Sequence, residues 1–177
     1  MIYKHELTEK NAIMRVAELM SAAARTAPKA CGVDVTETLV IDGDDKDRLS
    51  AVMREIGGSV KSKSFFIRDA GNVDASACVV LIASSVNPRK LNCAMCGAET
   101  CSEAVSKNIS CAMAVNDVGI ATGSAAATAM DHRIDNRILF SAGVAALKLG
   151  LFSDTAKICF GIGLSVSGKN IFFDRPQ

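Results

Sequence analysis

The run Cys78-Val-Val-Leu-Ile-Ala83 constrains this chain more than any other stretch. It is strand-length, lies between Asp74 and the pair Ser84-Ser85, and shows no alternation of apolar and polar residues. A strand of that kind is covered on both faces, so it belongs at the centre of a sheet with helices packed above and below. The longer apolar stretch, Ala77 to Val86, is about half of the roughly 20 residues that a bilayer-spanning helix needs. No membrane span is predicted.

The flanking sequence supplies the helices. Thr8 can cap a helix running to about Ala27, with Ile13, Val16, Ala17, Met20 and Ala24 along one face, and Pro28 and Gly32 end it. Val35 to Ile41 is rich in β-branched residues and reads as a strand. Asp42-Gly43-Asp44 turns into a helix that carries Leu49, Val52, Met53 and Ile56 inward and stops at Gly57-Gly58. Lys61 to Asp74 suits a short strand or a helix edge equally. After Asp117, the small residues of Val118 to Met130 form a helix permitting close approach, either beneath a sheet or at a homodimer interface.

His132 to Arg137 reads as a polar linker and Ile138 to Leu149 as a helix ended by Gly150. Lys157 to Leu164 is a last strand whose glycines suggest a close neighbour, and Ser165 to Lys169 is a polar turn. With 177 residues, 49% of them hydrophobic, and no Pro-rich or Ser-rich linker to divide the chain, the expectation is one α+β domain over residues 1–177. Its four or five strands are expected in a central mixed sheet flanked by helices.

Charge excludes some partners. Lys and Arg number 20 against 19 for Asp and Glu, so no net field draws the chain to nucleic acid or to an anionic membrane. Met1-Ile-Tyr-Lys-His-Glu lacks an apolar segment after a basic start, so a cytoplasmic location is expected. In that reducing compartment cysteines serve as thiols or metal ligands, not as disulfides.

Four of the seven cysteines, Cys93, Cys96, Cys101 and Cys111, fall within nineteen residues. Cys93 and Cys96 are spaced to share a metal or one edge of a cluster, and Gly97 lets the chain fold back. Cys101 lies near the start of a predicted helix, Ala98 to Lys107, where the thiolate form is favoured. Three readings remain open: buried small hydrophobes, a zinc site, or an iron–sulfur cluster. Zinc sites usually pair two C-x2-C units or add histidines, whereas a cluster tolerates unequal gaps because each thiolate binds a different iron. The spacing matches neither of the two commonest ferredoxin signatures.

Together with Asp117-Val-Gly-Ile-Ala121, Asp135-Asn-Arg137 and Ser167-Gly-Lys-Asn-Ile-Phe-Phe-Asp-Arg175, the pattern Cys-x2-Cys-Gly-x3-Cys resembles a family of bacterial and archaeal proteins of unknown function that contain a ferredoxin domain. Residues 91–111 are then the ferredoxin-like segment. The first three cysteines are also similar to the C-x2-C-x4-C start of the four-iron domain of electron-transfer complex subunits. The order of elements resembles the nitroreductase fold, which implies an obligate homodimer binding FMN. On that resemblance Lys169 and Arg175 are the candidates for the flavin phosphate. The Arg-rich start and the Asn-x-Gln-Pro segment of that fold are missing here.

Other features are weaker. Gly163 to Lys169 has the Gly-x4-Gly-Lys spacing of a phosphate loop, but Asn170 stands where the magnesium-binding Ser or Thr belongs. Cys31, beside Arg25 and Lys29, reads as a turn cysteine or a redox thiol, and Cys78 and Cys159 as core. His5 and His132 have no triad context. The sequence therefore predicts a cytoplasmic iron–sulfur electron-transfer protein with one [4Fe–4S]-type cluster on Cys93, Cys96, Cys101 and Cys111. It would be dimeric, with an unknown redox partner, and could be a small flavin-linked oxidoreductase. The alternative is a non-catalytic protein with structural zinc, acting in assembly or partner binding.

Overall fold

A computed structural model describes residues 1–59 and 65–173. Its centre is β2 (Cys78–Ser84), in which all seven residues are buried. β2 lies between β1 (Thr36–Ile41) and β4 (Ile158–Ser165), and β3 (Asp135–Leu139) pairs on the far side of β4. Every pairing in this four-stranded sheet is antiparallel, which corrects the expected mixed sheet. The reason is visible between β1 and β2. Two helices, α2 (Gly43–Ser59) and α3 (Phe65–Ala75), connect them, and two passes return the chain to the end of the sheet it left. A single crossover helix would have made the pair parallel.

Helices cover both faces, as the unbroken apolar run requires. On one face α1 (His5–Thr26) and α5 (Ala112–Asp131) pack Val16, Met20, Ala121 and Ala125 against Val80, Ile82, Ile162 and Leu164. On the other, α2, α3 and α6 (Phe140–Lys148) pack Leu49, Met53, Phe66 and Ala145 against Val79, Leu81 and Ala83. Two buried polar groups tie the second layer together. Ser141 Oγ donates to Asp69 Oδ2 at 2.6 Å, joining α6 to α3, and Lys46 Nζ donates to the carbonyls of Val73 and Asp74 near the end of α3.

Local outcomes depart from the sequence reading where packing decides. The uncommitted Lys61–Asp74 stretch contributes to α3, whose buried Phe66, Asp69, Ala70 and Val73 recur at helical spacing; residues 61–64 lie outside the described residues. α2 runs through Gly57-Gly58 instead of stopping there. A Cβ on Gly57 would stand 2.8 Å from Ile67 Cγ1, so this glycine permits the close approach of α2 and α3. The supposed linker at His132–Arg137 enters β3, an edge strand whose polar residues need no cover. α6 then starts at Phe140, not Ile138.

The glycines of β4 do mark close neighbours. A Cβ on Gly161 would lie 2.7 Å from Ala142 Cβ, and one on Gly163 2.6 Å from Ser76 Oγ. Gly143 of α6 is tighter still, because its Cβ would stand 1.8 Å from the Cys159 carbonyl oxygen. Gly143→Ala is therefore expected to destabilise the protein by about 3 kcal/mol or more in urea unfolding, since backbone and not a flexible side chain must move. Gly71→Ala, in α3 with nothing within 4 Å of the added Cβ, should instead stabilise by about 0.5–1 kcal/mol.

Candidate metal centre

The chain leaves β2 at Ser84 and runs without helix or strand to α4 (Cys101–Ser106), then passes through Cys111 into α5. The loop curls tightly, because Lys90, Asn92, Ala94 and Gly97 all have positive φ, between 46° and 86°. Left-handed backbone is costly for three of these four residues, so surrounding contacts must hold them there. Gly97 N–H closes one turn onto Ala94 O at 2.9 Å.

Those turns bring Cys93, Cys96, Cys101 and Cys111 to the wall of one recess. Apolar and small residues, among them Pro88, Ala98, Ala104 and Ala112, complete it. Asn92 fixes Cys101 twice: its backbone N–H donates to Cys101 Sγ at 3.3 Å, and its Oδ1 accepts the Cys101 N–H at 2.8 Å. Thr100 caps α4 by accepting from Glu103 N–H at 3.1 Å. The predicted Ala98–Lys107 helix is shorter, six residues, and begins at Cys101 itself. Cys111 stands at the N-cap of the twenty-residue α5, with its N–H donating to Val86 O at 2.9 Å.

The four thiols suit a polynuclear centre by donor type. Among the described residues, no three His, Cys, Asp or Glu side chains converge closely enough to hold one ion. A mononuclear zinc site needs all four sulfurs about 2.3 Å from a single point, whereas a cluster gives each thiolate its own iron. The free volume of the recess is only about 10 Å³, near that of one water molecule. The donor set in the recess, four thiols with no carboxylate or histidine among its lining residues, is that of an iron–sulfur centre.

Sequence reasoning missed the group that moors this loop. Arg89, next to Lys90, is buried, and its Nε donates to Asp117 Oδ2 at 3.1 Å. Asp117 Oδ1 accepts the Ala30 N–H at 2.9 Å, so one carboxylate joins α5, the loop stem and the turn after α1. The sequence places the start of this helix at Asp117, but α5 starts at Ala112 and holds Asp117 inside it. The apolar run before Asn87 gave no hint that Arg89 turns inward.

The remaining candidates lie elsewhere. Cys31 is exposed in a short 3-10 turn, Ala30–Gly32, at φ 57°, its thiol 3.6 Å from Arg89 O. Lys169 is exposed in the turn after β4. Because Leu164 pairs with Cys78 while Ser84 pairs with Ile158, that turn is at the opposite end of the sheet from the cysteine loop, roughly 20 Å away along β2. Arg175 lies outside the described residues. Gly163 is held inside β4, so no phosphate loop forms there.

With the geometry in view, relatives can be placed. Residues 107–175 match the family described as uncharacterised proteins containing a ferredoxin domain (DUF2148). A protein from Archaeoglobus fulgidus is 38% identical, over 94% of each chain. The chain belongs to this ferredoxin-domain family. The family match itself includes Cys111 but not Cys93, Cys96 or Cys101. The fold is that of the nitroreductases. An FMN-bound nitroreductase from Desulfitobacterium hafniense superposes with a TM-score of 0.62 at 15% identity, covering 88% of this chain and 78% of the other. A BluB-like flavoprotein from Clostridium difficile gives 0.59 at 18% identity, covering 92% and 84%. No helix among the described residues is long and apolar enough to cross a membrane.

Two predictions follow from these positions. Truncating Asp117 to Ala strands the buried Arg89 guanidinium and should cost about 3–5 kcal/mol in denaturant unfolding. Burial pushes the Cys78 and Cys159 thiols from 9.0 up to about 12, so both stay protonated in the fold at pH 10 while the unfolded chain ionises them. The fold therefore binds more protons than the unfolded chain between about pH 9 and 12, and stability falls as pH rises through that window. Urea midpoints should drop across it, and a Cys78→Ala, Cys159→Ala double variant should show a shallower fall.

Proposed function

We propose that the chain is a cytoplasmic redox protein that holds one [4Fe–4S]-type cluster on Cys93, Cys96, Cys101 and Cys111. The observation that carries this reading is the shared recess, which is lined by four thiols: two on the loop, one on the first residue of α4 and one on the cap of α5. Membership of a ferredoxin-domain family supports it. When bound, such a centre supplies reversible one-electron storage. The chain's own contribution is to supply the thiolates, exclude water with alanines and Pro88, and donate the Asn92 N–H to the Cys101 sulfur. The small free volume of the recess favours a second reading, structural zinc in a non-catalytic protein.

FMN bound through Lys169 and Arg175 is a separate part of the proposal, and it would make the protein a small flavin-linked oxidoreductase. Such a flavin would sit far from the cysteine loop of its own chain, so exchange between them favours a homodimer in which the opposite ends of two chains meet. The outer face of α5 suits that assembly, since Asn116, Gly119, Ile120, Gly123, Ala127 and Met130 are exposed and uncharged. Ile120→Glu should convert a dimer to monomer in sedimentation velocity without loss of the helical circular dichroism signal.

Anaerobic purification should yield brown protein with about four irons per chain, bleached by dithionite. Serine at Cys93, Cys96, Cys101 or Cys111 should each remove most of the iron, and Cys31→Ser should leave it. Colourless protein with one zinc per chain would sink the redox reading.

A further inference from the structure

An open cavity of about 450 Å³ adjoins the cysteine recess, lined by Asn87, Pro88, Lys90, Asn92, Cys101, Ser102 and Val105. Pro88, Asn92 and Cys101 belong to both walls, so the cavity and the thiol recess lie back to back. The volume falls in the range of small-molecule sites, about 300–1,000 Å³.

The lining carries a definite chemistry. Lys90 is its one charged residue, and no carboxylate faces it. Lys90, Asn87, Asn92 and Ser102 are all exposed, so the Lys90 ammonium, the two side-chain NH₂ groups and the Ser102 hydroxyl face the open cavity and its solvent. Asn92 spends only its Oδ1, on the Cys101 N–H, which leaves its donor end available. Pro88 and Val105, the latter 65% exposed, supply an apolar side. Lys90 and Asn92 are both held at positive φ, 60° and 46°, strain of the kind that persists where a site is held in place. A surface with four solvent-facing donors, one of them a cation, no anion and an apolar edge selects an organic anion.

We propose that this cavity binds a small organic anion against Cys101, with Lys90 as its charge partner. The role of the bound molecule, as an electron donor or acceptor of the centre, rests on the redox reading above; the binding itself does not.

The test uses the full chain and a defined probe, anthraquinone-2-sulfonate, with uncharged 2-(hydroxymethyl)anthraquinone as its control, titrated by calorimetry. The sulfonate should bind about tenfold more tightly than the control, as expected for a charge-assisted contact. Lys90→Gln should abolish that preference, and Val105→Trp, which fills the cavity from an exposed position, should weaken both ligands. Equal affinities, an unaltered preference in Lys90→Gln, or no binding at all would overturn the proposal. Iron content is measured on the same preparations. Colourless protein that still prefers the sulfonate overturns the redox reading and leaves the cavity assignment standing; brown protein without the preference does the reverse.

Discussion

Burial of β2 on both faces is the constraint from which the rest follows. A strand with no solvent face must have helices above and below and a paired neighbour on each edge, and this one has all four. Its direction then fixes the ends. Because β2 finishes at Ser84, the loop that leaves it emerges at the same end of the sheet where α5 begins. Cysteines separated by as many as eighteen positions thus meet without a domain of their own, since loop and helix cap are delivered to one corner by the layer beneath them.

The corner is moored by a single buried ion pair. Arg89 and Asp117 each have only 3–4% of the side chain exposed, and their mutual attraction in a poorly screened interior offsets the loss of water only because Ala30 N–H and Asn87 O take up further bonding capacity. The pair stabilises position more than it stabilises the fold. It fixes the stem of the cysteine loop on α5, while residues 90–100 are held by the turn at Gly97, by Asn92 on Cys101 and by the Glu99 N–H on the Glu103 carboxylate.

The layers and the thiol group were legible because they rest on local signals: an unbroken apolar run, helical spacing in α1 and α2, and sulfurs clustered in sequence. What was illegible depends on contacts distant in sequence. Arg89 and Asp117 look like ordinary surface charges until residues 28 positions apart are folded together. β3 looked like a linker because an edge strand may keep polar residues, and Gly57 looked like a stop because the neighbour it accommodates, Ile67, belongs to another helix. The sheet's antiparallel sense depends on how many helical passes separate two strands, and one of those passes lay in the stretch left ambiguous.

The separation of the two basic and sulfur-bearing ends bears on any redox scheme for this fold. α5 is about 30 Å long and runs from the cysteine corner to the end where β3 starts and β4 finishes, so the Lys169 turn and the thiols mark opposite poles of one rigid layer. Electron exchange between a cofactor at each pole of the same chain would have to cross the full core, through aliphatic packing that offers no intermediate carrier. In the proposed homodimer the route would be shorter, because a two-fold contact along an antiparallel pair of α5 helices would set one chain's N-terminal pole beside the other's C-terminal pole. The small residues on the inner face of that helix, Ala121, Ala125 and Ala129, let it lie close against the sheet.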